Sequence, residues 1–209
     1  MNDLLLSIAI PTIERRKFIF EELYDELEKQ IKPYINKIEI ISICDNGDLT
    51  IGEKRNFLNE MAKGKYIVQW DDDDWIHPNG IDMIMEGIET DVDVISYNHY
   101  TDIKEWEKLR HFHKYYSIKY SEPLGKIDYK NGIITCTPDQ KCVIKSEIVK
   151  NVKFYNMNHN EDWTFMRDII PFLKTEYHIN EFIYLYLNRS GETMDFYKRH
   201  NIKKSSKLI

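Results

Sequence analysis

The sequence predicts an α/β fold: a Rossmann-like, mainly parallel central sheet flanked by helices. Two observations in the first half support this. Short apolar runs alternate with amphipathic segments of helical length, and polar residues follow directly where three of the runs end. Such alternation is typical of a parallel sheet with right-handed crossovers. The second half is less regular, and no repeat or linker marks a boundary, so we predict a single domain over residues 1–209.

Four strands are predicted in the first half. The runs at 4–10 and 38–43 are apolar and suit buried parallel strands. A third strand at 66–70 leads into four consecutive aspartates, and a fourth is expected at 92–97. Pro11 is expected to end the first strand and to open a polar loop.

Helices are predicted between these strands, each with one apolar face. The first is marked by Phe20, Leu23, Tyr24, Leu27 and Ile31, the second (52–63) by Phe57, Leu58, Met61 and Ala62, and the third by Ile81, Ile84, Met85 and Ile88. In the second half we predict short strands at 133–136 and 142–145, a helix at 161–170, and late strands at 176–179 and 183–187.

Polar residues follow three of the predicted strands at their carboxyl ends. Pro11-Thr12 follows the first, Asp45 the second, and the run from Asp71 to Asp74 the third. Ligands of open parallel sheets bind beyond these ends, so we expect the three segments to line one crevice. Asp45 has a simpler alternative role, which is to shape a turn.

The four aspartates are best explained by a bound cation. Carboxylates this close repel one another, and Mg²⁺ and Mn²⁺ prefer oxygen ligands and often bridge carboxylates to substrate phosphates. The alternative is a solvated acidic turn. The run lies between the strand ending at Trp70 and the pair Trp75-Ile76, and this setting favours Mn²⁺ or Mg²⁺ binding.

Composition and charge exclude some classes of protein. Of the 209 residues, 42% are hydrophobic and 31% charged, as in an ordinary globular domain. A net charge of −6 argues against a protein that coats nucleic acid mainly by electrostatics. The three cysteines lack metal-ligand spacing and suit reduced thiols. The apolar run at 4–10 is too short to span a membrane and lacks signal-peptide features, so we expect a cytoplasmic protein without a transmembrane segment.

Five short blocks carry a family resemblance. They are SIAIPT at 7–12, DNG at 45–47, GEKRN at 52–56, KGKYI at 63–67 leading into the aspartates and Pro78, and NEDW at 160–163. In this order the chain resembles the family 2 glycosyltransferases of the GT-A fold. The blocks match that family's opening strand, acidic turn, Arg-Asn helix, DXD segment and Glu-Asp motif. The resemblance covers about residues 4–165, most of the chain.

The resemblance implies a site for a nucleotide-sugar donor, most often a UDP-sugar, in residues 1–100. Pro11, Thr12 and Asp45 would hold the base and ribose. Glu14 and Arg55 would lie in or near the same pocket. An ordinary helix-surface cation is the alternative for Arg55.

The resemblance also implies roles for the aspartates. Asp73 would bind the metal that bridges the two phosphates. Asp71 would contact the ribose or the metal's water shell. Asp72 would belong to the donor site, and Asp72 and Asp74 would support the segment through water or backbone contacts.

The same resemblance places acceptor binding and catalysis in residues 101–209. Asp162 would be the general base that deprotonates the acceptor hydroxyl, although an acidic residue in a first helical turn is also favoured by the helix dipole. Glu161, Trp163, His159 and Trp75 would lie on the acceptor side. Direct attack opposite the leaving nucleoside diphosphate implies inversion at the anomeric carbon.

Two other classes of function stay open at the level of sequence. A sugar nucleotidyltransferase would share the metal and the strand-end chemistry, but it usually carries a glycine-rich loop after the first strand, and residues 12–16 contain no glycine. A non-enzymatic acidic metal-binding module is the second alternative, against which the candidate base argues.

The acceptor is open as well. A surface glycan, a lipid-linked sugar, a protein, a small molecule and a modified nucleic-acid base are all candidates. The aromatic and basic residues at 110–120 and the basic tail at 198–207 would suit an anionic partner, although solvated surface is the commoner explanation of such stretches.

Overall fold

The computed structural model describes residues 4–102, 115–118, 126–128 and 133–187. Within these ranges the strands are β1 Leu6–Ile13, β2 Ile38–Asp45, β3 Tyr66–Gln69, β4 Trp75–Ile76, β5 Val94–Asp102, β6 Tyr115–Ile118, β7 Lys126–Asp128, β8 Ile133–Cys136, β9 Val143–Lys145 and β10 Glu176–Leu187. The α-helices are α1 Lys17–Ile31, α2 Ile51–Met61, α3 Gly80–Glu89, α4 Ser146–Val149 and α5 Glu161–Ile169. Short 3-10 turns lie at Glu14–Arg16, Lys32–Tyr34 and Ile170–Phe172.

The sheet is built around β1, which pairs in parallel with β2 on one side and β3 on the other. Its order is β2-β1-β3-β9-β5-β6-β8-β7, and β10 runs parallel to β5 on that strand's other side. Strand β9 is antiparallel to both β3 and β5, so β3 and β5 run in the same direction. The predicted parallel set of β1, β2, β3 and β5 is confirmed, with one antiparallel strand inserted into it.

Helices cover both faces of this sheet, as the alternating pattern predicts. On one face, Leu23 and Leu27 of α1 and Ile84 of α3 pack with buried strand residues such as Val68. The other face has a second cluster, in which α4 and α5 pack on the sheet. Among the described residues, no helix is both long and apolar enough to cross a membrane.

Three strand predictions need correction. Pro11 does not end β1, which continues to Ile13. Pairing with β3 stops at Ala9, so β1 is an edge beyond that point, where proline is tolerated. Strand β2 is a half-exposed edge strand, whereas a buried one was predicted. The two predicted late strands form one strand, β10, with a register irregularity between Ile179 and Phe182.

Helix α2 begins with a capping box. The Thr50 hydroxyl accepts a hydrogen bond from the Glu53 N–H at 3.2 Å, and the Glu53 carboxylate accepts one from the Thr50 N–H at 2.9 Å. Of the four residues predicted to face inward on this helix, Leu58 and Ala62 are buried, but Phe57 and Met61 are 46% and 48% exposed. The residues that α2 buries include the polar Lys54, Arg55 and Asn59.

Gly52 sets the distance between α2 and the chain that leads to α5. Its N–H donates to the Met157 carbonyl at 3.2 Å, and a Cβ at this position would lie 1.9 Å from the Tyr155 carbonyl oxygen. We expect Gly52→Ala to destabilise the protein by about 1–3 kcal/mol, because backbone must move to relieve the clash. Denaturant unfolding measures this. Glu60→Ala, an exposed change on the same helix, should unfold close to wild type, and equal stability of the two variants would contradict the prediction.

Candidate active site

The carboxyl ends of β1, β2 and β3 meet in one cluster of charged side chains. The Thr12 hydroxyl, from β1, donates a 2.6 Å hydrogen bond to Asp72, which follows β3. Lys54 of α2 donates to the Thr12 carbonyl at 2.9 Å and forms an ion pair with Asp45 at the end of β2. The three segments that the sequence places at strand ends are therefore joined by direct contacts.

The four aspartates alternate between open and buried. The side chains of Asp71 and Asp73 are 25% and 20% exposed, whereas Asp72 and Asp74 are buried. Asp74 accepts a hydrogen bond from the buried Tyr184 hydroxyl, and that hydroxyl accepts one from the Asp71 N–H at 3.2 Å. The buried Asp72 and Asp74 thus anchor the segment, while the carboxylates of Asp71 and Asp73 are partly open to solvent.

The pKa values of two of these carboxylates are shifted in opposite directions, one by neighbouring positive charges and the other by burial. Burial would raise the pKa of Asp71, but the positive charges of Arg55, Lys141 and Arg16 hold it below its ordinary value. Burial raises the pKa of Asp72 to about 6, against the opposing effect of Arg16 and a hydrogen bond from Thr12. Asp71 therefore stays ionised at neutral pH.

Lys54 holds Asp45 in its charged form. Although partial burial acts the other way, Lys54 and the backbone N–H groups of Leu49 and Gly47 lower the pKa of Asp45. The Leu49 N–H donates to this carboxylate at 2.7 Å, and Gly47 adopts φ +94, which closes the turn. Asp45 thus shapes the turn and also faces the cluster.

Arg55 connects three parts of the cluster from a buried position, with 2% of its surface exposed. Its guanidinium donates to Asp71 at 2.7 Å, to Gln69 at 3.3 Å and to Glu161 at 3.4 Å. It also lies over the Phe154 ring, 5.8 Å from the centroid. The alternative of a helix-surface cation is therefore wrong. A contact of Arg55 with the nucleotide remains a prediction.

Asp162, the predicted base, lies beside Glu161 in the first turn of α5. Its Oδ1 accepts a hydrogen bond from the Trp163 N–H at 2.8 Å, and its side chain is half-buried. Glu161 contacts Arg55, which also contacts Asp71, so this turn is joined to the acidic segment, Asp71 to Asp74. Trp163 is 57% exposed and His159 is exposed, so both point to the surface around the base.

A buried lysine lies between the acidic segment and the predicted base. Lys141 forms a 2.7 Å ion pair with Asp139. Burial alone would lower the pKa of Lys141, but the carboxylates of Asp139, Asp71 and Asp162 raise it above its ordinary value. Burial and Lys141 lower the pKa of the nearby His99 to about 3, so this ring is neutral.

The remaining predicted residues lie at the margins of the cluster. Pro11 is buried within β1. Glu14 is exposed, and its carboxylate accepts a weak hydrogen bond from the Cys44 thiol at 3.4 Å. Trp75 is half-buried in β4, paired with Leu185 of β10. Their roles toward donor and acceptor remain predictions.

The acidic segment fits a divalent cation that substrate phosphates would complete. Among the described residues, no group of three or more His, Cys, Asp or Glu side chains is arranged to hold a metal alone. Mg²⁺, however, is usually held by one or two carboxylates together with phosphates and water. Asp71 and Asp73, the two partly exposed carboxylates of the segment, would supply that number.

Sequence reasoning missed Arg16, Lys54, Lys141 and Tyr184. Arg16 lies in the same short stretch after β1 as the predicted Glu14, and its charge was the available signal. Lys54 stands next to the predicted Arg55, and the polar stripe that these two form with Asn59 on α2 was the available signal. Tyr184 comes 110 residues after Asp74 along the chain, so only the folded sheet brings them together.

The fold and the cluster place the chain among the α/β proteins that bind ligands beyond the carboxyl ends of a parallel sheet. The family model described as Glycosyl transferase family 2 matches residues 22–152, more than half of the chain. The chain belongs to this family, and the resemblance seen in the sequence is confirmed. No curated protein matches it.

Solved structures share the fold at low sequence identity. S. aureus TarS 1-349 in complex with UDP-GlcNAc matches with a TM-score of 0.63 and 16% identity, over 92% of this chain and 61% of that one. The mannosyltransferase PcManGT from Pyrobaculum calidifontis, in complex with GDP-Man and Mn²⁺, matches with a TM-score of 0.58 and 11% identity, over 93% and 60%. The chain thus spans less than two thirds of the length of these proteins. The predicted GT-A fold is confirmed.

Proposed function

We propose that this protein is a glycosyltransferase that moves a sugar from a nucleotide-sugar, with UDP as the nucleotide, to an acceptor hydroxyl with inversion. The observation that carries the proposal is the link from the open Asp71, through Arg55, to Glu161, which precedes Asp162. The carboxylates that we assign to the donor side and the acceptor side are thereby joined through one buried guanidinium. Family membership supports the reaction class, and TarS with UDP-GlcNAc supports the nucleotide.

The donor would lie across the ends of β1, β2 and β3. Asp45, kept charged by Lys54, can accept a hydrogen bond from the N–H of a pyrimidine base or from a ribose hydroxyl. The Pro11-Thr12 segment would form the wall beside the base. Asp71 and Asp73 would face the diphosphate side and would hold Mn²⁺ or Mg²⁺, which would supply Lewis-acid stabilisation of the leaving group.

The transfer step needs a base on the acceptor side. Asp162 would take the proton of the acceptor hydroxyl, whose oxygen then attacks the anomeric carbon of the sugar. The bond from that carbon to the diphosphate oxygen breaks, and the nucleoside diphosphate leaves on the opposite face. Trp163, exposed beside the base, offers a ring on which an acceptor sugar or base can stack.

The acceptor itself is left to experiment. The predicted anionic-partner segments lie largely outside the described residues: of residues 110–120 only 115–118 are described, as strand β6, and the basic tail is outside them altogether.

Calorimetric titration with UDP, GDP, CDP and TDP, each with and without Mn²⁺, tests the donor class. We expect UDP to bind tightly only when Mn²⁺ is present, because a cation must offset the repulsion between diphosphate and carboxylates. We expect a metal-dependent gain in UDP affinity of about tenfold or more. Asp73→Asn should remove most of this gain, since the proposed charged ligand of the cation is lost. Retention of the full gain would contradict the role of Asp73.

Glu89→Gln is the matched control, because it removes one exposed carboxylate at the end of α3. It should bind UDP and Mn²⁺ like wild type. Binding of none of the four diphosphates would contradict the proposed donor and favour the metal-binding module. Tight binding of a nucleoside triphosphate instead would favour a nucleotidyltransferase.

A further inference from the structure

Arg16 places a cation directly against the acidic segment. It ends the 3-10 turn that follows β1. Its Nη2 forms an ion pair with Asp72 and lies 2.7 Å from the Asp73 Oδ2. A divalent cation on Asp73 would therefore have to share that carboxylate with a guanidinium or displace it.

The charge on Arg16 does not disappear in this setting. Burial would lower its pKa, but Asp73, Asp72 and Asp71 raise it above the ordinary value, and arginine is in any case charged at all physiological pH values. Two cations at one carboxylate repel each other. In the nucleotide-free protein Arg16 thus opposes metal binding at Asp73.

The guanidinium also has capacity that its carboxylate contacts do not use. Its Nε is buried and, within the described part of the chain, has no hydrogen-bond acceptor. About a third of the side chain is exposed (35%), so it is not locked into the protein interior. Arginine binds phosphate through two parallel N–H groups. On Arg16 these would be the Nε–H and an N–H of Nη2, the nitrogen that now contacts Asp72 and Asp73.

A nucleoside diphosphate would remove the conflict between the two cations. Its phosphates would bring negative charge to the exposed side of Asp73 and offer Arg16 a new partner. The carboxylate is then released to the metal, and the unpartnered Nε gains an acceptor.

Building on the proposed donor site, we propose that Arg16 couples metal binding to nucleoside diphosphate binding. Arg16 pairs with Asp72 and Asp73 when the site is empty. When the metal and the nucleoside diphosphate bind together, Arg16 binds the diphosphate instead. The nucleotide consequently raises the affinity for metal, and by linkage the metal raises the affinity for nucleotide by the same factor.

The test measures Mn²⁺ binding directly, from the electron paramagnetic resonance signal of free Mn²⁺, with and without UDP. In wild type we expect weak binding of Mn²⁺ alone and an increase of about tenfold or more with UDP, within the usual range of such couplings. Arg16→Gln should bind Mn²⁺ alone several-fold more tightly than wild type. The gain from UDP should shrink several-fold in this variant.

Arg15→Gln is the matched control, since it removes the same charge from the neighbouring, exposed position. It should keep the wild-type coupling. Arg16→Lys separates charge from geometry, because it retains the cation but not the two-pronged contact. We expect this variant to bind Mn²⁺ alone as weakly as wild type and to gain less from UDP.

Equal coupling in wild type and Arg16→Gln would overturn the proposal, as would Arg16→Gln binding Mn²⁺ alone no better than wild type. If Arg16→Gln fails to fold, Arg16→Lys decides: undiminished coupling in that variant also overturns it. Failure of wild type to bind UDP would instead contradict the proposed donor, while the measurement with Mn²⁺ alone still tests the competition between Arg16 and the metal.

Discussion

Asp162→Asn is expected to lower turnover by about 10²–10⁴-fold, the usual contribution of a positioned general base. Affinity for the donor should stay nearly unchanged, because Asp162 lies on α5 and the proposed donor contacts lie at the ends of β1, β2 and β3. The amide oxygen of asparagine can still accept the hydrogen bond from the Trp163 N–H, so the first turn of α5 keeps its geometry. The substitution therefore removes proton acceptance and little else.

Release of UDP from a UDP-sugar measures this effect, with water as the acceptor until the natural one is known. Calorimetry with UDP and Mn²⁺ measures donor affinity in the same samples. Asp168→Asn provides the control on the same helix, where the carboxylate pairs with Arg167 at the surface. Full turnover in Asp162→Asn would assign the base to another residue, and weaker donor binding would assign Asp162 a role in the donor site.

The part of the site that sequence alone can locate is the part that local patterns encode. Apolar runs mark β1 and β3. A polar residue at the carboxyl end of a parallel strand lies at the end of the sheet where ligands bind. Thr12, Asp45 and the acidic segment follow from this rule, and all three come together in the structure.

The supporting residues depend on contacts between distant parts of the chain. The usual expectation that apolar residues face inward fails on α2. This helix packs Arg55 against Asp71 and Lys54 against Thr12 and Asp45, and it leaves Phe57 outside. The insertion of β9 between β3 and β5 is likewise a matter of non-local pairing. No local pattern distinguishes these arrangements from the simpler one.

Arg55→Met is expected to reduce the free energy of unfolding by about 3–5 kcal/mol, the usual cost of breaking a buried ion pair by removing one partner. Methionine fills a similar volume but leaves Asp71 and Glu161 without their shared cation. The buried Gln69 oxygen also loses a donor, at 3.3 Å in the intact protein. The loss is large because this one guanidinium connects α2, the acidic segment and α5.

Denaturant unfolding followed by circular dichroism measures this loss, and Lys153→Met is the matched control. Lys153 also pairs with a carboxylate, Glu60 at 2.7 Å, but both side chains are more than half exposed. Water screens such a pair, so its removal should leave the unfolding midpoint nearly unchanged. If Arg55→Met unfolded like this control, burial would not be what makes the Arg55 contacts strong. A large loss confined to Arg55→Met would instead mean that one buried charge holds Asp71 and Glu161 together.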